Sequence, residues 1–264
     1  MKKLAGLFIV TLLLLSACGS VPLTGRSQVM LVSDQEVLTS SLTQYSEFMK
    51  EATLSTDKAQ TDKVVRVGKK IAAATESYLK VNGLEAEIKN FSWEFNCVKS
   101  ADVNAFCMPG GKIVVYEGIL PYASTDEELA AVLGHEVAHA VAKHANERMS
   151  QQLLAQYGGA ILGQVVSGKS SAVQTVANTV YGLGTEFGIM LPYSRKHEYE
   201  ADHMGLIFMA LAGYDPRASI TFWNKMAEGK TASVPEIMST HPSDVHRIAE
   251  LQKYLPDALK YYKK

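Results

Sequence analysis

The chain has 264 residues, of which 47% are hydrophobic and 20% are charged, and its formal net charge is -1. This composition is typical of a globular protein with one sizeable core. So small a net charge, with no basic run interleaved with aromatic residues, argues against nucleic-acid binding and against an acidic substrate.

The first seventeen residues have the pattern of a bacterial lipoprotein signal peptide. A basic start precedes an apolar stretch at residues 4–15, which is too short to span a bilayer. The sequence LSAC at 15–18 matches a lipobox, which predicts cleavage before Cys18 and lipidation of that residue; a plain secretory signal is the alternative. No retention aspartate follows Cys18. We therefore expect membrane attachment through the lipid anchor in the bacterial cell envelope, at the outer membrane facing the periplasm.

The remainder is expected to form a short tether, residues 18–32, and a single domain, residues 33–264. Capping boxes and apolar residues at helical spacing predict helices, whereas alternation and turn residues predict strands. The region 157–188 is rich in small residues, which favours two closely packed helices over a hairpin that touches a membrane. The predicted fold is mainly α with a small β-sheet, an α+β fold. The predicted helices are 33–54, 57–81, 124–150, 194–213, one from 216 and 243–254; the predicted strands are 91–98, 104–108 and 112–116.

Two cysteines remain once Cys18 is set aside. Cys97 and Cys107 flank a stretch rich in turn-forming residues. If a hairpin turns around Asp102, the two cysteines face each other and a cross-strand disulfide is geometrically possible. Two free, half-buried thiols are the alternative.

The most informative motif is HExxH at residues 135–139, within a predicted helix. Residues four apart on a helix differ by about 40° around its axis, so His135 and His139 leave the same face. Two imidazole nitrogens at this spacing can bind one Zn²⁺, with Glu136 beside the metal as a general base. The motif predicts a zinc hydrolase with one Zn²⁺ per chain.

A catalytic zinc site needs a third protein ligand. His144 follows His139 by five residues on a helix predicted to continue, about 140° around the axis, so we interpret it as a structural histidine. Glu198 and Asp202 share a face of a second helix, where one can bind the metal while the other orients a ligand imidazole. A plain charged helix face is the alternative. Glu200 is expected to face solvent, and His197 is unassigned.

These residues together resemble one zinc metallopeptidase family. It includes the CAAX prenyl protease, HtpX, the mitochondrial Oma-type protease and the assembly protease BepA. The similarity covers roughly residues 60 to 254, and the ordered combination of motifs is specific. We expect the chain to lack the transmembrane helices of the first two and the repeat domain of BepA, and to be most similar to the short bacterial lipoprotein and Oma-type members. The matching motifs are HEVAH at 135–139, SRxxExxAD at 194–202, THP at 240–242 with Arg247 beyond it, NAFxxPGG at 104–111 and GYDP at 213–216.

The resemblance implies a zincin-like metalloprotease domain, in which the HExxH helix and a second, ExxxD helix carry the ligands. His135, His139 and Glu198 would bind zinc. Glu136 would be the general base, and Asp202 would orient a ligand histidine. The remaining implied roles concern the surroundings of the metal: His241 would stabilise the oxyanion or cap the zinc as an inhibitory ligand, Arg247 would support the His241 loop, and Asn104, Ala105 and Phe106 would form the edge strand that pairs with substrate.

The expected function is that of a membrane-anchored zinc metalloendopeptidase. Its substrates would be misfolded, misassembled or stalled envelope proteins, which makes it a protein quality-control enzyme. A latent or inactive zinc-binding chaperone or assembly factor is the alternative. A structural zinc protein is weaker, because Glu136 would then have no task.

Overall fold

The computed structural model describes residues 18–157, 175–176, 194–228, 241 and 246–263. The predicted signal peptide at 1–17 lies outside the described residues. So does nearly all of the small-residue region at 157–188, together with the two neighbours of His241. The predicted fold class is confirmed, because the described chain is mainly helical with two small sheets.

The helices begin where capping residues stand. Ser33 and Glu36 form a complete capping box, and Asp57 and Ser194 each accept a hydrogen bond from the first turn that follows them. The box predicted at 124–127 is formed one residue later, by Thr125 and Glu128. The described helices are α1 (Asp34–Glu51), α2 (Lys58–Val81), α3 (Glu85–Ile88), α4 (Asp126–Val141), α5 (His144–Tyr157), α6 (Arg195–Leu211), α7 (Ala218–Glu228) and α8 (Arg247–Ala258).

The central sheet has three strands, of which the last in sequence lies in the middle. The strands are β3 (Glu94–Val98), β4 (Ala105–Met108) and β5 (Lys112–Tyr116), in the order β3-β5-β4. β3 runs parallel to β5, whereas β4 runs antiparallel to it. In the described part of the chain, β4 is therefore an edge strand, as the predicted substrate-binding role requires.

This strand order contradicts the predicted hairpin around Asp102 and its disulfide. Cys97 pairs with Val115 and Cys107 pairs with Ile113, so β5 separates the two cysteines. Strands two positions apart in a sheet are about 10 Å apart, beyond the reach of a disulfide. Both cysteines are buried free thiols.

The segment predicted as a tether is folded onto the domain. β1 (Cys18–Ser20) pairs with β2 (Ser27–Val29) in an antiparallel hairpin. Val21 is buried in the main core, and Arg26 forms ion pairs with Glu147 of α5 and Glu200 of α6. These contacts give the segment a structural role that the tether prediction did not include.

The helices that carry the HExxH motif and the ExxxD motif, α4 and α6, pack against each other at the centre of the main core. α4 ends at Val141 and α5 begins at His144, so the predicted helix to residue 150 is broken in two. The break falls at Lys143, which has a φ of 57° in the left-handed region. Ion pairs with Asp34 and Glu87 hold its ammonium group.

Candidate metal centre

Four buried side chains converge: two come from α4, one comes from α6, and the fourth is His241. One ligand atom from each of His135, His139, Glu198 and His241 lies within 4.8 Å of all the others. The two Nε2 atoms of the HExxH histidines are 3.0 Å apart. The carboxylate of Glu198 lies 3.4 Å from both of them. The helical spacing in HExxH thus places two imidazoles on one carboxylate of the neighbouring helix.

The donor set fits a zinc ion. Imidazole nitrogens and carboxylate oxygens are ligands that Zn²⁺ prefers. Among the described residues, the buried Oε2 of Glu198 accepts no hydrogen bond of normal geometry, although Nη1 of Arg247 lies 3.2 Å and Nε2 of His135 lies 3.4 Å from it. A bound metal ion would replace the proton between the two Nε2 atoms and would satisfy this oxygen as well.

Asp202 supports one of the two histidines. Its Oδ1 lies 2.8 Å from Nδ1 of His135, whose other ring nitrogen, Nε2, faces the donor cluster. Arg247 donates two hydrogen bonds of 2.8 Å to the Asp202 carboxylate and lies 3.2 Å from Glu198. Its guanidinium is also stacked 3.5 Å from the centre of the Trp223 ring. The structure therefore brings Asp202 to His135 and places Arg247 against two carboxylates. The loop that Arg247 was predicted to support, beyond His241, lies outside the described residues.

The buried charges at the site shift one another's pKa values. Burial and Arg247 act to lower the pKa of His135, but Asp202 and Glu198 outweigh them and raise it to about 9. Burial would raise the pKa of Glu198, yet the surrounding histidines, His241 foremost, hold it well below its usual range. An ionised Glu198 is the form that binds a metal ion.

Glu136 is buried beside the four donors but is differently placed. Its Oε1 accepts no hydrogen bond from the described residues and lies 3.5 Å from Nε2 of His241. Burial raises the pKa of its carboxyl group. A carboxylate with a free oxygen and a raised pKa has the properties of a general base near neutral pH.

His241 lies close to both the donor cluster and Glu136. Its Nδ1 lies 3.1 Å from Glu198 and 3.3 Å from Nε2 of His135. The same residue therefore faces the ligand cluster with one ring nitrogen and the general base with the other. Both roles considered for His241 in the sequence analysis fit this position.

The predicted edge strand borders the site. Ala105 and Phe106 belong to β4, and Asn104 immediately precedes it; all three side chains are buried. The backbone of Cys107 in the same strand forms a hydrogen bond with Glu136. β4 thus runs past the candidate base, which is the position expected for a strand that aligns a peptide.

Two sequence-based placements near the site are wrong, although the interpretation of His144 as a structural histidine agrees with its burial and its position outside the donor cluster. His144 does not point away from His139: the break at Lys143 turns it back, and the two Nδ1 atoms lie 2.8 Å apart. Glu200 does not face solvent but is buried, 2.9 Å from Nε2 of His144. The unassigned His197 is buried as well and contacts Glu147 at 3.0 Å. The break at Lys143 turns His144 toward α6, which carries Glu200 and His197. No local sequence signal predicted this turn.

The fold and the buried donor set define the class of protein as a zincin-like metallopeptidase. Residues 60–255 match peptidase family M48, and the chain belongs to this family. The predicted family and the zinc expected for it are thereby confirmed, and the donor cluster agrees with them.

The similar proteins of known name are metalloendopeptidases and a protease. The mitochondrial metalloendopeptidase OMA1 of Schizosaccharomyces pombe is 37% identical over 65% of this chain and 49% of its own length. OMA1 of Bos taurus is 31% identical over 90% of this chain and 46% of its own length. The Escherichia coli beta-barrel assembly-enhancing protease is 29% identical over 60% of this chain and 33% of its own length. The chain thus spans half or less of each of these relatives.

The predicted location is corrected by this comparison. Relatives that match up to 96% of the chain are mitochondrial proteins, so the bacterial outer membrane is not supported. Within the described ranges, no helix combines the length and apolar character needed to cross a membrane.

Proposed function

We propose that this chain is a zinc-dependent endopeptidase that hydrolyses peptide bonds in misfolded or stalled proteins, and so acts in protein quality control. The observation that carries the proposal is the convergence of His135, His139 and Glu198, with the free oxygen of Glu136 beside them. The envelope is not retained as the source of substrates, because the predicted location is wrong. Lipidation of Cys18 stays a prediction.

Each side chain at the site has a task in such a reaction. When bound, zinc would supply Lewis acidity toward the substrate carbonyl and would acidify water at neutral pH. Glu136 accepts the proton of the attacking water at its free Oε1 and returns it to the leaving amine. Asp202 keeps His135 in the tautomer that exposes Nε2. β4 aligns the substrate backbone by strand pairing.

The test is the isosteric change Glu136→Gln, which removes the base but none of the three ligands. We expect unchanged zinc content and a loss of casein cleavage of about 10²-fold or more. Glu47→Gln, an exposed glutamate on α1, is the matched control and should cleave normally. Unchanged turnover of the Glu136→Gln protein would refute the proposed role.

A second candidate function is a latent protease or a zinc-binding chaperone. The proximity of His241 to the ligands favours it, because four protein ligands characterise closed zinc sites. His241→Ala separates the cases. A gain in casein cleavage would identify a latent protease, and a loss would identify His241 as a group acting in catalysis. If the wild type and His241→Ala both bind zinc and neither cleaves casein, the chaperone is favoured.

A further inference from the structure

The geometry points to His144 and Glu200 as positioning residues for the zinc ligand His139, with Arg26 as the outermost member of the same chain of contacts. The inference rests on the proposed function, because that proposal makes His139 a ligand. It adds a connection between the metal centre and the N-terminal hairpin formed by β1 and β2.

The two rings of His139 and His144 impose their tautomers on each other. His139 turns Nε2 toward the donor cluster and Nδ1 toward Nδ1 of His144, 2.8 Å away. A ring that binds metal through Nε2 carries its proton on Nδ1. Nδ1 of His144 must then be the acceptor, which leaves the His144 proton on Nε2. That proton points at Oε2 of Glu200, 2.9 Å away.

The surroundings of His144 hold its ring in this orientation. The residue is fully buried, and its ring is stacked on that of His197 with centroids 4.4 Å apart. The left-handed backbone at Lys143 directs His144 toward α4. A non-glycine residue in this region is uncommon and persists where its surroundings stabilise it, here through Asp34 and Glu87.

Glu200 is in turn held by the N-terminal segment. Nε of Arg26 donates to Oε2 of Glu200 at 2.7 Å, and the hydroxyl of Thr24 donates to the other oxygen. The same guanidinium spans to Glu147 on α5. The two ligand histidines thus reach their carboxylates differently: His135 contacts Asp202 directly, whereas His139 reaches Glu200 through His144.

The test measures the zinc dissociation constant of the full chain by competition with a fluorescent chelator. His144→Ala should weaken zinc binding about 10- to 100-fold, the usual effect of removing such a contact. His144→Asn sets an amide oxygen near the position of Nδ1, so it should recover most of the affinity. Glu200→Gln keeps the side-chain size but removes the charge, and Arg26→Gln removes the outermost contact; both should weaken binding severalfold.

His203→Ala is the matched control. His203 lies on the same helix as Glu200 but contacts Asp257, outside the donor cluster, so its removal should leave the zinc affinity unchanged. Circular dichroism of each zinc-free variant separates a lost contact from unfolding. If His144→Ala does not fold, the zinc dissociation constants of wild type, His144→Asn and Glu200→Gln test the inference instead.

Two results would overturn the inference. One is a folded His144→Ala, or a folded Glu200→Gln, that binds zinc within twofold of wild type. The other is a His144→Asn as weak as His144→Ala, which would indicate packing alone. Failure of the wild type to bind zinc would instead refute the proposed function. This result differs from a failure of the inference, because it is seen in the wild type without any variant.

Discussion

Gly134 of α4 and Gly205 of α6 meet backbone to backbone. A Cβ added to Gly134 would lie 2.8 Å from the carbonyl oxygen of Gly205, and one added to Gly205 would lie 2.8 Å from the amide nitrogen of His135. The missing side chains allow the two helices to approach closely. Because His135 follows Gly134 directly, this contact also sets the distance between the HExxH histidines and the carboxylates of α6.

Gly205→Ala should therefore affect both stability and metal binding. The clash is with backbone atoms, so the helices must separate; we expect a loss of about 1–3 kcal/mol in the free energy of unfolding and weaker zinc binding. Urea denaturation and chelator competition measure the two effects. Gly68→Ala is the control: its Cβ would meet the Phe95 ring rather than the contact between α4 and α6, and should spare zinc affinity. Equal zinc affinity in Gly205→Ala and wild type would contradict the prediction.

Arg247→Met should strongly destabilise the zinc-free protein. The change leaves the buried carboxylates of Asp202 and Glu198 without their shared cation, although Met keeps much of the packing against Trp223. Breaking a buried ion pair by removing one partner costs about 3–5 kcal/mol. Urea denaturation in the presence of a chelator measures this.

The control for that change is Arg217→Met. Arg217 pairs with Asp215 at 2.7 Å, but its side chain is 58% exposed. Exposed ion pairs contribute about 0–1 kcal/mol, so this variant should unfold near the wild-type midpoint. Similar losses in the two variants would show that burial does not determine the effect.

The stability of the protein should fall in acid partly because of Glu147. Burial opposes the shift, but His197 and Arg26 lower the pKa of this carboxyl group to about 2. Since the folded-state pKa lies below the unfolded value of about 4.3, Glu147 stabilises the fold above about pH 5, and the contribution is lost as the pH falls toward 2.

The variant that tests this is Glu147→Gln. It should be less stable than wild type at pH 6 and should lose less stability between about pH 5 and pH 3. Guanidinium denaturation at several pH values measures both differences. Glu51→Gln, at the exposed end of α1, should follow the wild-type curve. Parallel curves for Glu147→Gln and wild type would contradict the assignment.

Cys97 and Cys107 should react as free thiols much more slowly in the folded protein than after unfolding. Burial raises the pKa of the Cys97 thiol to about 11 and raises that of Cys107 as well. Because the thiolate is the reactive form, native alkylation at pH 8 should be at least about 10-fold slower than alkylation in denaturant. Mass spectrometry of the unreduced protein measures this; a linked pair of cysteine peptides would refute it.

Local patterns predicted what depends on helical and strand periodicity. The four-residue spacings of His135 with His139 and of Glu198 with Asp202 place each pair on one helix face whatever the rest of the chain does. Capping residues set the starts of α1 and α6 for the same reason. β5 was predicted with its observed bounds, since alternation along a strand is also local.

The predictions that failed depend on chain direction or on distant contacts. The hairpin at Asp102 assumed that consecutive strands pair, but β5 enters between them. His144 was placed by continuing a helix through Lys143, where ion pairs with Asp34 and Glu87 stabilise a break instead. The outward direction assigned to Glu200 ignored the N-terminal segment.

By itself, the sequence determined the family of this protein, the HExxH ligand pair and the helix faces that carry the carboxylates. The tertiary structure alone decided which groups lie behind those ligands: Arg26, His144 and Glu200 are up to 174 residues apart along the chain. Side-chain direction within a helix follows from bond geometry over one or two turns. Contacts between distant segments depend on how whole elements pack, and a single left-handed residue can redirect them.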